Sequence, residues 1–264
     1  MAPRLPQTAD VEIYDILNRS IETGASIPDI QFRQLINKAT KIPAPYNYAC
    51  LSALYAHTLN YDKVAENARK SIRFGATEES CVINAVSALS NMKMFSEIVE
   101  MSKEYPILLE YKESRYETYD AAFHVLELEY CEYIANKFNI SFTQGVFDYR
   151  LLKSHFCEDK ALIKRASEYL KYAFLKLIEV LKCTKHKTSS IVFGVMNYPS
   201  APYLEVEINI HATKETEPEL DADEIMALED EWFGKLSKYH VNDEKLASIS
   251  FGIRRDDDFS REAS

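Results

Sequence analysis

The sequence has few glycines, and no two of them lie close together. Its 264 residues contain six, namely Gly24, Gly75, Gly145, Gly194, Gly234 and Gly252. A loop that cradles phosphate groups needs clustered glycines, because only then can the backbone approach the phosphates. The sequence therefore excludes Walker-type and dinucleotide-binding loops, and we expect no cofactor.

Long apolar runs and paired cysteines are also missing. No uninterrupted apolar segment reaches the ~18 residues that span a bilayer, and residues 1–10 contain no apolar stretch of signal-peptide length. We therefore expect a cytoplasmic protein. The five cysteines lie at least 26 residues apart, without CxxC or CxxH pairs. We interpret them as reduced core thiols and predict neither disulfides nor a metal site.

The chain has no overall excess of positive charge. Its net charge of −10 argues against a general nucleic-acid coat protein, whose affinity depends on neutralising phosphates. Charge is nevertheless uneven along the chain: residues 150–187 contain ten Lys or Arg against four Asp or Glu, whereas residues 205–231 contain eleven Asp or Glu and one Lys. Nucleic acid is not expected as the main partner, but the basic segment keeps RNA as an alternative partner.

The N-terminal part of the chain contains an internal repeat. Similar residues recur at one fixed separation along the sequence, which we call the repeat offset. It pairs Tyr61 with Phe95, Val64 with Ile98 and Ala68 with Ser102. The stretches before them, 49–58 and 83–92, also match each other and are apolar on one side at helical spacing. A further step back predicts a looser pair of helices at 9–23 and 28–41. The pattern therefore predicts consecutive helix pairs.

These pairs resemble tetratricopeptide repeats over roughly residues 9–107, and the offset equals the length of that repeat. The resemblance implies a groove, lined by the first helix of each pair, that binds an extended peptide or a partner helix. The corresponding groove positions are Tyr46, Ala49, Ala53 and His57 on one first helix, and Ser80, Asn84 and Ser87 on the next. None of them is a lysine, so the carboxylate clamp of one tetratricopeptide subclass is not expected.

Two long helices are predicted after the repeats, at 115–138 and 158–183. On the first, Asp120, His124 and Glu127 fall at i, i+4 and i+7, with Cys131 one turn further on. Such a set offers metal-ligand types on one face. A solvated acidic face is the interpretation we adopt, because no second element supplies further ligands.

The segment from Arg150 to His155 is similar to the Arg-x4-His signature of HEPN-type ribonucleases. The resemblance implies an acid-base or leaving-group role for the histidine and phosphate stabilisation by the arginine. Leu151 departs from the family, which usually has a polar residue directly after the arginine. The alternative interpretation of Arg150 and His155 is an ordinary solvated basic face.

Beyond residue 187, apolar residues occupy every second position, and no longer follow helical spacing. Strands are predicted at 190–198 and 203–211, an amphipathic helix at 221–239 and a last strand at 245–253. The fold class is therefore mainly α: tetratricopeptide-like repeats, long helices and a small β-β-α-β unit. The predicted domains are 9–110, 111–187 and 188–253, with flexible tails at 1–8 and 254–264.

Three functions from different classes are consistent with these patterns. The preferred one is a non-catalytic scaffold or adaptor that binds a protein or peptide partner in the groove, with a second contact or a homo-oligomer formed through an edge strand. The alternatives are a HEPN-like RNA-cleaving enzyme that uses Arg150 and His155, and a structural assembly subunit whose groove is filled by its own chain. Fold alone does not choose among them.

Overall fold

The structure is a computed structural model that describes residues 5–23, 27–142, 147–184, 186–197, 202–211, 221–241 and 243–255. As the sequence predicts, the protein is mainly helical, with a small α+β arrangement after the helices. The described chain divides into two compact units, one of residues 5–92 and 97–118 and one of residues 93–96, 119–211 and 221–255. None of the helices in the described ranges is long and apolar enough to cross a bilayer.

Helical hairpins occupy most of the chain. The helices are α1 Leu5–Thr23, α2 Asp29–Ala39, α3 Tyr46–His57, α4 Tyr61–Arg73, α5 Glu79–Asn91, α6 Phe95–Glu104, α7 Lys112–His124, α8 Leu128–Phe138, α9 Tyr149–His155 and α10 Lys160–Leu181, with a 3-10 helix at Pro106–Leu109. The second helices of the hairpins begin at residues 29, 61, 95, 128 and 160. A spacing close to the predicted repeat offset therefore continues past residue 107, as far as α10.

Neighbouring hairpins pack on each other in the first unit. Helix α3 contacts α4 and α5, α4 contacts α5, and α1 and α2 contact each other and α3. Small residues allow the close approach, since Ala49 on α3 and Ala68 on α4 are fully buried. Asn60 caps α4 by accepting a 3.3 Å hydrogen bond from the backbone N–H of Lys63, which satisfies one of the free donors of that helix end.

The single helix predicted over 115–138 is wrong, because the structure has α7 and α8 in its place. Leu126 adopts a left-handed backbone with φ +53°. The N–H of Glu127 then donates a 2.9 Å hydrogen bond to the carbonyl of Ala122, which closes α7. Neither glycine nor proline marks this break, and the apolar residues of both helices keep helical spacing. The sequence pattern is therefore the same as that of one continuous helix.

The strands form a three-stranded sheet. They are β1 Lys187–Asn197, β2 Pro202–His211 and β3 Ile249–Arg255, with α11 Ala222–Leu236 and the short α12 Glu244–Ala247 between the last two. The central β2 is antiparallel to β1 and parallel to β3, and Val206 lies opposite both Phe193 and Phe251. Helix α11 supplies the crossover that a parallel pair requires. The predicted inward face of β2 is buried, with Leu204, Val206, Ile208 and Ile210 each 0 % exposed.

Two predicted boundaries shift at the ends of the chain. The last strand begins at Ile249, later than the predicted 245, because Asp243 accepts a 2.9 Å hydrogen bond from the N–H of Lys245 and starts α12. Helix α1 already includes Leu5, and β3 continues to Arg255. The remainder of the predicted tails, residues 1–4 and 256–264, lies outside the described part of the chain.

Candidate functional site

The first helices of the hairpins are joined by hydrogen bonds between side chains. The Ser20 hydroxyl of α1 lies 3.4 Å from Nε2 of His57 on α3. The Tyr46 hydroxyl of α3 donates a 2.9 Å hydrogen bond to Glu78, directly before α5, and this bond raises the pKa of the tyrosine. These contacts place the predicted residues Tyr46 and His57 on one surface that crosses three helices, which we call the first-helix surface.

The same surface continues to α7 through Ser87 and Glu117. The Ser87 hydroxyl donates a 2.5 Å hydrogen bond to Oε1 of Glu117. The second carboxylate oxygen, Oε2, is buried and has no hydrogen-bond partner among the described residues. Burial raises the pKa of Glu117, and the Ser87 hydrogen bond opposes that rise. One further repeat step from Asn84 leads to Thr118, the neighbour of Glu117, so the repeat offset by itself does not identify Glu117 from sequence.

Tyr14 covers part of the first-helix surface from α1. Its hydroxyl is buried next to the Cys50 thiol of α3 and the Asn84 amide of α5. Burial is the largest of the effects that raise the pKa of Tyr14. Its side chain therefore occupies space beside Asn84, one of the predicted groove residues. No sequence signal identifies Tyr14, because it lies in the loosely matched first pair.

The predicted groove residues differ in accessibility. Ala49 is 0 % exposed and belongs to the core, so it offers no surface to a partner. Ser80 is exposed, and the remaining five are half-buried: Tyr46, Ala53, His57, Asn84 and Ser87. The side chains that a partner could reach are therefore a mixture of polar groups and one small residue, Ala53.

Arg150 and His155 lie on α9 but have different surroundings. The Arg150 guanidinium pairs with Asp148, at 2.8 Å from Nε to Oδ1 and 2.6 Å from Nη2 to Oδ2. The imidazole of His155 is 9 % exposed, and its buried Nε2 has no partner among the described residues. Five residues along a helix place two side chains about 140° apart. The two groups therefore do not converge within one chain.

The set of Asp120, His124, Glu127 and Cys131 does not share a solvated face. His124 is 7 % exposed and Cys131 is 0 % exposed, so the predicted polar exposure of these two residues is wrong. Nδ1 of His124 lies 2.6 Å from the carbonyl oxygen of Asp120, within its own helix. Within the described ranges, no three His, Cys, Asp or Glu side chains are grouped to hold a metal ion.

The cysteines fall into two groups. Cys50, Cys81 and Cys131 are buried free thiols, as predicted, whereas Cys157 and Cys183 are exposed. Burial raises the pKa of Cys50 to about 11 and that of Cys81 to about 12. The expectation of five core thiols is therefore wrong for Cys157, which lies in the turn before α10, and for Cys183, which lies just after its end.

Comparison of the chain with protein-family models, with curated proteins and with solved structures gives no match.

Proposed function

We propose that this protein is a non-catalytic cytoplasmic scaffold that binds an extended segment of a partner protein along the first-helix surface. The observation that carries the proposal is the set of bonds between first helices, from Ser20 to His57, from Tyr46 to Glu78 and from Ser87 to Glu117. They hold polar side chains in place and, except for the buried Ser20, leave them partly accessible. Such preorganisation lowers the entropy cost of binding.

The composition of the surface indicates what kind of segment it takes. Asn84 and Ser87 can donate and accept hydrogen bonds with a peptide backbone. Ala53 leaves room for a side chain of the partner. The resemblance to tetratricopeptide repeats, which remains a proposal, adds the expectation of an extended or helical ligand. Acid-base catalysis by Arg150 and His155 gains no support from the geometry of α9, since the imidazole is buried.

The test compares two substitutions that each introduce one arginine at a different place on the protein. Asn84→Arg adds a large cation to the first-helix surface, whereas Gln34→Arg adds the same group to an exposed position on the second helix α2. Each tagged full-length variant is purified from the native host, and bound proteins are quantified by mass spectrometry against the wild type. We expect a stoichiometric partner that is lost with Asn84→Arg and kept with Gln34→Arg.

A crosslinking experiment locates the contact. A photoreactive amino acid at Ala53 is expected to crosslink that partner, whereas the same group at Gln34 is not. A monodisperse protein with nothing bound would contradict the scaffold and support a structural subunit. Co-purifying RNA that is cleaved by the wild type but not by His155→Ala would support the ribonuclease hypothesis instead.

A further inference from the structure

The two edges of the sheet differ in how they are protected. At the β3 edge, the N–H of Ile253 donates a 2.7 Å hydrogen bond to Oε1 of Glu229 on α11. Two charged residues, Arg254 and Arg255, follow on the same strand. Charged side chains on an edge strand, and elements that cover it, discourage pairing with another chain. The β3 edge is therefore protected against a further strand.

The hydrogen bonds of β2 show which backbone groups of β1 point away from the sheet. The N–H of Leu204 donates a 3.2 Å hydrogen bond to the carbonyl oxygen of Ser248, so the even-numbered residues of β2 bond to β3. The odd-numbered residues of β2 then bond to even-numbered residues of β1. The N–H and C=O groups that point away from β2 therefore belong to the odd-numbered residues of β1, namely Ile191, Phe193, Val195 and Asn197.

These outward backbone groups of β1 are not used within the described ranges, where they form no further hydrogen bond. Helix α9 contacts β1 but contributes no backbone hydrogen bond to it. Residues 188–197 also include no charged residue and no proline, whereas the central β2 carries Glu205 and Glu207. Edge strands usually carry charge or proline as a protection. The composition of β1 is therefore that of an interior strand.

We propose that β1 pairs with β1 of a second copy of this chain, in antiparallel orientation, around a two-fold axis at Gly194. The bulge between Thr188 and Ile191 limits regular pairing to residues 191–197, whose midpoint is Gly194. In this register Ile191 lies opposite the partner's Asn197, and Phe193 lies opposite the partner's Val195. Each outward-pointing residue therefore meets another, and the donors and acceptors of the two edges match.

A second copy accounts for the composition of both edges. The two three-stranded sheets join into one, with the uncharged β1 strands in its middle and the protected β3 strands at its ends. No like charges face each other across the new pair, because residues 188–197 are uncharged. The two-fold axis closes the assembly at two chains. A strand from a different protein lacks this symmetry and needs its own protected edge.

The test introduces a charge at the two-fold axis. Gly194→Lys places two ammonium groups opposite each other across the pair, where like charges are destabilising. A Cβ at residue 194 meets no atom of its own chain within 4 Å, so the variant should fold like the wild type, as judged by circular dichroism. The matched control is Gly234→Lys on the exposed surface of α11, where a Cβ also meets nothing within 4 Å.

Sedimentation of the full-length protein between about 1 and 100 μM measures association. We expect the wild type and Gly234→Lys to form a dimer with a Kd of about 10 μM or tighter. Gly194→Lys should weaken this dimer by about tenfold or more. An equimolar mixture of Gly194→Lys and Gly194→Glu should restore a dimer with one chain of each kind, because opposite charges then meet at the axis. Native mass spectrometry identifies this mixed dimer.

Amide hydrogen exchange of the wild type tests the interface without a substitution. The outward N–H groups of Ile191, Phe193 and Val195 should exchange about tenfold more slowly at about 100 μM protein than at about 1 μM. Unchanged exchange in a dimeric sample overturns the proposal, whether or not Gly194→Lys folds.

Three further results overturn it. A wild type that stays monomeric at about 100 μM leaves a strand of a different protein as the occupant of the edge. Undiminished association of folded Gly194→Lys, or loss of the dimer in Gly234→Lys, places the contact elsewhere on the chain. Failure of the two oppositely charged variants to associate contradicts the register centred on Gly194.

Discussion

The indole N–H of Trp232 donates a 2.9 Å hydrogen bond to the carbonyl oxygen of Ala173, near the middle of α10. Trp232 is 0 % exposed and also contacts Phe251 of β3 edge-on at 5.4 Å. One side chain therefore joins the crossover helix α11 to both α10 and the sheet. Because the contact combines a buried polar group with a large apolar area, it should dominate the stability of this region.

Trp232→Phe should lower the free energy of unfolding by about 2 kcal/mol, through loss of the hydrogen bond and of part of the buried area. Urea denaturation followed by far-UV circular dichroism measures the change. The neighbouring Phe233 is 39 % exposed, so Phe233→Leu is the control and should cost less than about 0.5 kcal/mol. Equal effects of the two substitutions would show that the indole contact contributes no special stability.

Lys93→Leu should stabilise the protein below pH 8. The folded-state pKa of Lys93 is about 8, below the ordinary lysine value, so the charged amine disfavours folding and the cost disappears as pH rises from 8 toward 10.5. After allowance for partial solvent screening, we expect a gain of about 1–2 kcal/mol at pH 7 and almost none at pH 10.5. Urea unfolding of both proteins at the two pH values measures the difference.

Tyr14→Phe should leave the free energy of unfolding within about 0.5 kcal/mol of the wild type, because the buried hydroxyl meets no hydrogen-bond geometry with any residue that the structure describes. Tyr14→Ala should cost about 2–3 kcal/mol, since it removes a ring packed beside Cys50 and Asn84. A cost above about 1 kcal/mol for Tyr14→Phe would show that the hydroxyl is hydrogen-bonded in solution.

Two thiols per chain should react quickly with a colorimetric disulfide reagent under native conditions at pH 8, and all five in urea. Cys157 and Cys183 are exposed, whereas burial covers Cys50, Cys81 and Cys131 and raises their pKa values. The double variant Cys157→Ser and Cys183→Ser should lose the fast phase completely. A fast phase that persists in this variant would mean that α3, α5 or α8 opens readily.

The local pattern of residues was sufficient to predict most elements. Helical spacing of apolar residues places α3 to α6, and strict alternation places β2, because these periods follow directly from backbone geometry. The repeat offset predicts Tyr46, Ala53 and His57 on one helix and Asn84 and Ser87 on the next. Their role as a binding surface stays a prediction.

Other features depend on contacts between residues distant in sequence, and only the tertiary structure decides them. Leu126 can reverse the chain without glycine because its buried side chain offsets the strain of the left-handed backbone. The sequence pattern places His124 on a polar helix face. In the folded chain, however, its imidazole lies among aromatic rings from α6, β1 and the segment before α9. β3 pairs with β2 in parallel, which requires the long α11 crossover.

The amino-acid sequence by itself therefore determined where helices and strands form and which of their faces are apolar, since both are short-range properties of the chain. Tertiary packing decided which polar groups lose water and which find a partner. Nothing in the sequence around Lys93 distinguishes it from an ordinary surface lysine, yet folding partly buries its amine and this burial lowers its pKa. Desolvation depends on the three-dimensional surroundings of an atom, and sequence spacing does not encode it.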